Sequence, residues 1–228
     1  MEITEAILEK LRSHSSRKNL RGMARFGIKT DKALGVTIPN IRKIAKGIKK
    51  DHSLALELWE TGIHEARILA SLVDEPGKVT SRQMDRWASD FDSWDVCDLV
   101  CSNLFDQTPF AIEKALKWRS SKKEFVKRAG FVMMAALSVH AKDLPDSVFL
   151  SFLFVIKLAS DDNRNFVKKA VNWALRQIGK RNLALNKAAI AAAKDIKRLH
   201  FPSARWIASD ALRELQSEKV QKRLRERP

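Results

Sequence analysis

Apolar residues recur at every third or fourth position along almost the whole chain, and this pattern restricts the possible folds more than any other feature. Such spacing collects the apolar side chains on one face of an α-helix, whereas a β-strand requires alternation with a period of two, which no segment shows convincingly. Glycines and prolines lie mainly between the periodic segments. The sequence therefore predicts an all-α fold, with helices at residues 3–12, 40–48, 53–59, 64–73, 94–105, 110–118, 124–139, 147–158, 165–178, 186–199 and 203–215.

The chain also contains similar segments at regular distances. EFVKRAGFVMMAAL (124–137) and NFVKKAVNWALRQI (165–178) share the pattern F-V-K-basic-A 41 residues apart, and ALRQI at 174 returns as ALREL at 211. A period near 40 residues in paired helices predicts an α-solenoid of HEAT-like repeats with a concave DNA-binding surface. Chance similarity among amphipathic helices is the alternative. The length favours one repeat domain over residues 1–228, whose last residues, about 217–228, form a basic helix end or tail.

Positive charge dominates the composition. The chain has 43 lysines and arginines against 27 acidic residues, a formal net charge of +16 and an isoelectric point near 10.1. This charge predicts a polyanionic partner such as double-stranded DNA, with an anionic membrane surface or simple solubility as the alternatives. No apolar run approaches the roughly 20 residues of a membrane span, and the acidic residues of MEITEAILEKLRSH do not fit a secretory signal. We expect a cytoplasmic monomer that associates with the nucleoid when it acts on DNA.

The sequence offers little for a metal or a cofactor. Cys97 and Cys101 would supply only half of a tetrahedral zinc site, and buried free thiols suit a reducing cytoplasm. The five histidines are scattered without a ligand-spaced pair, and neither a G-x-G-x-x-G motif nor a P-loop occurs. We therefore expect a protein that works without metal or cofactor.

Two stretches carry charge of only one sign. No lysine or arginine occurs between Arg86 and Lys114, where Asp90, Asp92, Asp95, Asp98, Asp106 and Glu113 all fall. Conversely, no acidic residue occurs in 163–194, which contains Arg164, Lys168, Lys169, Arg176, Lys180, Arg181, Lys187 and Lys194. The second stretch predicts a basic surface for phosphates, and the first raises the question of what its carboxylates do.

Helix capping accounts for part of the acidic stretch FDSWDVCDLV (91–100). Asp92 is predicted as the N-cap of a helix and Asp95 as its capping-box partner. Asp98 is different, because it lies one turn from Trp94 at the edge of the apolar stripe and so against aromatic surface. The pattern favours a functional carboxylate at 98, while a solvated helix residue is the alternative.

Trp173 lies on the cationic face of its predicted helix. At about 100° per residue, its angular neighbours are Lys169, Arg176 and Lys180, whereas the apolar stripe runs along another face. This tryptophan either packs against an adjacent repeat or contacts a nucleic acid whose phosphates the cations hold.

The motif W-D-x-x-D at 94–98, FVKRA at 125–129 and KKAVNWALRQ at 168–177 together resemble the AlkD-like DNA alkylation repair glycosylases, which are all-helical HEAT-like repeat proteins. LGVTIPNIRKIAK (34–46) and HEARILASLV (64–73) are similar to the N-terminal half of that family, so the resemblance covers most of the chain. One departure is GMAR (22–25), which lacks the polar side chain that some members carry in an early helix near the DNA.

The resemblance implies hydrolysis of the N-glycosidic bond of N3-alkyladenine or N7-alkylguanine in duplex DNA, without a pocket for the damaged base. It makes Asp98 the catalytic residue, Trp94 and Trp173 the contacts to the backbone of the lesion, and Arg128 a phosphate contact. From the charge pattern we add five cations to the predicted DNA-binding set: Lys127, Lys168, Lys169, Arg176 and Lys180.

The chemistry of such substrates is compatible with a single carboxylate. Glycoside hydrolysis ordinarily needs a second carboxyl group to protonate the leaving group, but a purine alkylated at N3 or N7 already carries positive charge. One ionised Asp98, kept charged by nearby cations, would stabilise the oxocarbenium-like sugar and orient water. Two other hypotheses stay open: a catalytically silent binder of damaged, bent or branched DNA, and a HEAT-type protein–protein scaffold.

Overall fold

The computed structural model of the protein describes residues 2–226, and all regular secondary structure within them is helical. Two short 3-10 helices (Pro76–Lys78 and Phe105–Gln107) interrupt the series. The fourteen α-helices of this part of the chain are α1 (Glu2–Arg12), α2 (Arg17–Arg25), α3 (Ile38–Lys46), α4 (His52–Glu60), α5 (His64–Val73), α6 (Ser81–Ser89), α7 (Trp94–Asn103), α8 (Ala111–Trp118), α9 (Glu124–His140), α10 (Asp146–Leu158), α11 (Asn165–Gly179), α12 (Leu183–Lys197), α13 (Pro202–Leu215) and α14 (Glu218–Arg225).

The structure confirms the all-α prediction, and each helix predicted from apolar spacing is present. The apolar spacing did not predict α2, α6 or α14. Helix α2 buries none of its side chains and α14 buries only Val220 and Leu224, whereas α6 does bury Met84, Trp87 and Ala88. All three begin at a hydroxyl N-cap that accepts a hydrogen bond from the backbone amide three residues on. These N-caps are Ser16, Thr80 and Ser217.

The chain forms two compact units that divide between Phe110 and Ala111. The N-terminal unit comprises α1–α7. At its core Trp59 and Trp87 stack with ring centroids 4.0 Å apart, and the Trp59 indole N–H donates to Asp90 Oδ2 at 2.9 Å. Asp90, one carboxylate of the acidic stretch, therefore has a structural partner in this core.

The C-terminal unit comprises α8–α14, and its central helix α11 packs against α9, α12 and α13. Close approach of α8 and α9 depends on Gly130, because a Cβ atom there would lie 2.7 Å from the backbone nitrogen of Arg119. The segment expected as a basic helix end or tail is the packed helix α14, in which Gln221 Nε2 donates to Asn186 Oδ1 at 3.0 Å. Residues 227–228 of that segment lie outside the described part.

Hydrogen bonds between side chains recur at a constant sequence separation in each unit, as expected for stacked repeats. In the N-terminal unit, hydrogen bonds join residues 31 positions apart, for example Trp59 with Asp90 and His64 with Asp95. In the C-terminal unit the separation is 38 for Lys157 with Asp195, Asn172 with Asp210 and Arg176 with Glu214. Equivalent positions of neighbouring repeats therefore contact each other.

None of the helices within residues 2–226 combines the length and the apolar character needed to cross a membrane.

Candidate active site

A cavity of about 890 Å³ opens in the N-terminal unit, among α2, the loop that follows it, α5 and α7. Most of its wall is apolar. Polar side chains are concentrated on α7 and at the start of α5, where Asp95, Asp98 and His64 lie, and on the outer helix α2. Its apolar lining includes Met23, Phe26, Ile28, Val36, Ile68 and Leu99.

Helix α7 brings Trp94 and Asp98 to this cavity. Four residues apart on one helix, they lie on the same side, as their spacing predicts, and both are half-buried. Val96, Cys97 and Val100 are buried and fix the opposite side of α7 in the core. The Trp94 indole N–H donates to the backbone oxygen of Phe26 at 3.0 Å, and this hydrogen bond ties α7 to the end of α2.

The capping prediction for this helix is wrong. The N-cap is Ser93, not Asp92, because the helix begins at Trp94, and the Ser93 side chain makes no cap hydrogen bond. Asp95 is not a capping-box partner either: its Oδ2 lies 2.8 Å from Nε2 of His64, the first residue of α5. A long-range partner therefore takes the carboxylate that local rules would assign to the helix start.

His64 and Asp95 form an ion pair in the cavity wall. Burial favours the neutral imidazole, but the hydrogen bond and charge of Asp95, helped by Glu65 and Asp92, outweigh it and raise the pKa of His64. Burial likewise opposes ionisation of Asp95, yet the hydrogen bond and charge of His64 lower the pKa of this carboxyl. Sequence reasoning missed His64, because nothing local marks a partner 31 residues away.

This pair predicts a pH-dependent contribution to stability. Because its folded pKa is raised, His64 stabilises fully below its ordinary pKa of 6.5 and loses that contribution as the pH rises through the folded pKa. Asp95 contributes above its ordinary pKa of 3.8 and loses this as the pH falls through its folded pKa. In urea unfolding, we expect His64→Gln to cost about 2 kcal/mol at pH 5 and clearly less at pH 9.

The exposed residue His200 supplies the control for that measurement. We expect His200→Gln to leave the free energy of unfolding within about 0.5 kcal/mol of the parent at both pH values. A cost of His64→Gln that is equal at pH 5 and pH 9 would contradict a protonated His64 in the folded protein.

The loop that forms another part of the wall is held by a buried carboxylate. Glu65 is fully buried, and its Oε1 accepts hydrogen bonds from the backbone amides of Gly35 and Val36 at 2.7 and 3.1 Å. Its Oε2 accepts from the amide of Leu34 at 2.9 Å. Gly35 has a φ of +78°, and a Cβ there would lie 2.3 Å from the oxygen of Ser16, so only glycine fits. Three backbone donors thus converge on one side chain.

Helix α2 adds positive charge that sequence analysis did not single out. Arg17, Lys18, Arg21 and Arg25 are all exposed on it, and the last three line the cavity. The basic residues in RKNLRGMAR were the available signal, since their spacing suits neighbouring faces of one helix. The cavity therefore has a cationic rim and an apolar interior.

In the C-terminal unit, several predicted DNA-binding residues are engaged within the protein. Arg128 is only 5% exposed, and its Nη1 donates to the backbone oxygen of Phe166 at 2.6 Å. Lys127 pairs with Asp162 at 2.8 Å. Lys180 pairs with Glu214 at 2.6 Å, and the same carboxylate binds Arg176. Burial opposes ionisation of Glu214, but these two cations lower its pKa.

The expected basic face is therefore less cationic than the residue count over 163–194 indicated. Carboxylates just outside residues 163–194, about one repeat away in sequence, neutralise part of the positive charge of that stretch. A count of charges along the sequence does not show these ion pairs. Trp173 is half-buried on α11, and Lys168 Nζ lies 5.5 Å from the ring centroid of Trp206. Lys169, with Lys187 and Lys194, remains exposed.

A solved structure defines the class to which this fold belongs. It superposes on the chain with a TM-score of 0.81 at 22% sequence identity, covering 96% of this chain and 95% of the other. That protein is described as one of a new family related to the HEAT-like repeat DNA glycosylases, with affinity for branched DNA structures. The similarity confirms that the present chain has the HEAT-like repeat fold.

The family to which the chain belongs is shown by a match over most of its sequence. Residues 7–215 match the family model described as DNA alkylation repair enzyme, and the chain belongs to this family. It is 28% identical over 169 residues to an uncharacterized protein of Listeria innocua and 25% identical over 169 residues to one of Listeria monocytogenes. Each alignment covers 73% of both chains. The resemblance stated from the motifs is thus confirmed at the level of the family.

Proposed function

We propose that the protein is a DNA glycosylase that hydrolyses the N-glycosidic bond of cationic alkylated purines in duplex DNA, with Asp98 as its catalytic residue. One observation carries the proposal: in a member of the DNA alkylation repair enzyme family, Asp98 and Trp94 line the same cavity. In this cavity the Asp98 carboxylate lies beside apolar and aromatic side chains. In such surroundings an ionised carboxylate interacts strongly with positive charge that develops on the sugar.

The reaction requires little from the protein beyond charge and position. As the bond between C1′ and N9 breaks, its electron pair passes to the purine and neutralises the positive charge of the alkylated ring. Asp98 stabilises the positive charge that develops on the sugar, and a water oxygen bonds to C1′ while its proton passes to the carboxylate or to solvent. No acid is needed for the leaving group, in contrast to ordinary glycosidases.

The remaining predicted residues have positioning roles in this proposal. Trp94 contacts the sugar of the lesion, and in the C-terminal unit Trp173 contacts the DNA backbone. Lys168 and Lys169 bind phosphates directly. The other members of the predicted set are held by protein oxygens, and they contribute to DNA binding by supporting the interface. These residues are Arg128, Lys127, Arg176 and Lys180.

A second candidate is a binder of branched DNA without catalysis. It is favoured by the described affinity of the structural neighbour for branched DNA, together with the net charge of +16. Such a protein would recognise junction shape and phosphates, and Asp98 would have no chemical role.

The test is incubation of the protein with a duplex treated with a methylating agent, followed by chromatographic analysis of the released bases. We expect 3-methyladenine and 7-methylguanine to appear faster than in protein-free DNA. Parallel binding measurements use an undamaged duplex and a four-way junction at several salt concentrations. Tight, salt-dependent junction binding without base release would favour the second candidate, whereas no binding to either DNA would contradict both.

A further inference from the structure

Helix α10 in the C-terminal unit has an exposed apolar stripe. Its members Phe154, Leu158 and Leu150 are 65%, 57% and 49% exposed, although large apolar side chains are usually buried. Because they are spaced four residues apart, they form one continuous stripe over about two turns of the helix. The other side of α10 packs into the core through Phe149, Phe152, Leu153, Val155 and Ile156. The unit therefore holds α10 in place without using the stripe.

The stripe also lacks charge. The segment SVFLSFLFVI (147–156) contains no charged residue, although 31% of the chain is charged. Its exposed positions are Ser147, Leu150, Ser151 and Phe154. A surface helix ordinarily carries charged and polar residues on its solvent side, and contiguous exposed apolar side chains mark interaction sites. The stripe thus has the character of a surface that another molecule covers.

Two hydrogen bonds define how α12 lies beside α10. At the start of both helices, Asn182 Nδ2 donates to Asp146 Oδ1 at 3.0 Å. Toward their ends, Lys157 Nζ donates to Asp195 Oδ2 at 3.0 Å. These pairs are 36 and 38 residues apart, so the two helices run in the same direction. Each residue of α10 therefore lies level with the residue of α12 that follows it by 36 to 38 positions.

This register places lysines of α12 beside the stripe. Lys187 follows Leu150 by 37 positions, Lys194 follows Leu158 by 36, and both lysines are exposed. Packed helices have axes about 8–10 Å apart, so one ligand that rests on α10 can also contact α12. The exposed side of this helix pair therefore combines an apolar stripe on α10 with positive charge on α12.

This combination favours an acidic amphipathic helix over the other occupants of an apolar surface. A second copy would bring a net charge of +16 toward the same charge. Three side chains also cover far less than the roughly 800 Å² per partner that a stable dimer buries. An anionic membrane is opposed by Asp143 and Asp161, which are exposed just before and just after α10. A single helix can lie along the stripe and avoid both carboxylates.

We propose that α10 and α12 form a docking surface for an acidic amphipathic helix of a partner protein. Apolar side chains of that helix pack on Leu150, Phe154 and Leu158, and its carboxylates pair with Lys187 and Lys194.

This docking surface is independent of the glycosylase function. The phosphate contacts proposed for the C-terminal unit, Lys168 and Lys169, lie on α11, so the partner and DNA use different helices.

The first experiment measures binding of a synthetic probe by fluorescence anisotropy. The probe is a labelled peptide of about four helical turns, with leucine at every third or fourth position and glutamate at the others. We expect saturable binding to the parent and at least tenfold weaker binding to Phe154→Ser. Ile3→Ser is the matched control, because Ile3 is 69% exposed on α1, and it should bind the peptide like the parent. Equal affinity of the parent and Phe154→Ser, or no binding to the parent, overturns the proposal.

The second experiment tests the charge of the docking surface. A twin peptide carries lysine in place of every glutamate. The double variant Lys187→Glu with Lys194→Glu should bind the acidic peptide at least tenfold more weakly than the parent does, and the basic peptide at least tenfold more tightly. The gain for the basic peptide excludes unfolding as the cause of the loss. If neither peptide distinguishes the double variant from the parent, the proposal is wrong.

Three further measurements identify other occupants. In sedimentation velocity we expect a monomer, whereas a dimer that Phe154→Ser dissociates would assign the stripe to a second copy. Vesicles of phosphatidylcholine and phosphatidylserine in equal parts should not retain the protein, whereas retention that Phe154→Ser abolishes would assign the stripe to a membrane. Phe154→Ser should bind duplex DNA like the parent, whereas weaker binding would place α10 in the DNA interface. Each of these contrary results overturns the proposal.

Discussion

Asp98→Asn is expected to lower the rate of base release from methylated duplex by roughly a thousandfold, the effect of removing one preorganised electrostatic group from an active site. The amide has nearly the same shape as the carboxylate but no negative charge, so it cannot stabilise the sugar cation. Because a cationic purine leaves without a proton, the protein has no parallel acid catalysis to compensate. The rate is measured in single turnover with enzyme in excess, which isolates the chemical step from product release.

The control for this substitution lies two residues before Trp94. Asp92 is half-buried and belongs to the same acidic stretch, but it does not line the large cavity. We expect Asp92→Asn to change the rate by less than a factor of about five. Affinity of Asp98→Asn for undamaged duplex should equal that of the parent, because phosphates dominate that binding. Release by Asp98→Asn at the rate of the parent would remove Asp98 from the catalytic role and leave a HEAT-like DNA-binding surface.

The second large effect is expected at Glu65, and it concerns stability. Replacing Glu65 by alanine leaves the backbone amides of Leu34, Gly35 and Val36 without their acceptor. Each buried unsatisfied donor costs about 1–3 kcal/mol, and solvent entering the loop recovers part of this. We expect Glu65→Ala to lower the free energy of unfolding by about 4 kcal/mol. Urea unfolding followed by circular dichroism measures this directly.

Glu65→Gln refines the same prediction, because the amide keeps one acceptor oxygen and places an NH2 group against a backbone donor. Its cost should be intermediate, about 2 kcal/mol. Glu60 is the matched control: it pairs with Arg86 across the surface with half of its side chain exposed (54%). Glu60→Gln should cost less than about 0.5 kcal/mol. A Glu65→Ala protein as stable as Glu60→Gln would contradict the role of the carboxylate in holding the loop.

Apolar periodicity located most of the helices that bury a stripe of side chains. It missed α6, which buries Met84, Trp87 and Ala88, and it failed for α2 and α14, which bury few side chains or none. The clearest failure is α2, which is held to the N-terminal unit largely by hydrogen bonds. The Ser16 backbone N–H donates to the backbone oxygen of Leu34 at 3.0 Å, and Asn19 Nδ2 donates to the backbone oxygen of Gly35 at 2.8 Å. The N-cap serine was the signal present in the sequence. Because α2 forms one wall of the cavity and supplies its cationic rim, neither the wall nor the rim could be predicted without this helix.

The acidic stretch shows how far local rules extend. Helical spacing correctly put Trp94 and Asp98 on one side of a helix, because that relation depends only on the geometry of five consecutive residues. Local rules failed for Asp95, whose partner His64 starts another helix, and they gave no partner for Asp90, which accepts a hydrogen bond from Trp59. Asp95, predicted as a capping residue, and its neighbour Asp90 are both fixed by contacts between repeats.

From the amino-acid sequence alone follow the all-α class, the HEAT-like repeat, the family resemblance and the shared face of Trp94 and Asp98, since all depend on short-range periodicity or on motifs. Only the tertiary structure decided that a cavity lies beside Asp98, that His64 and Glu65 form part of its support, and that Glu214 neutralises Arg176 and Lys180. Those features join residues about 30 to 70 positions apart, and such residues become neighbours only when the helices pack together.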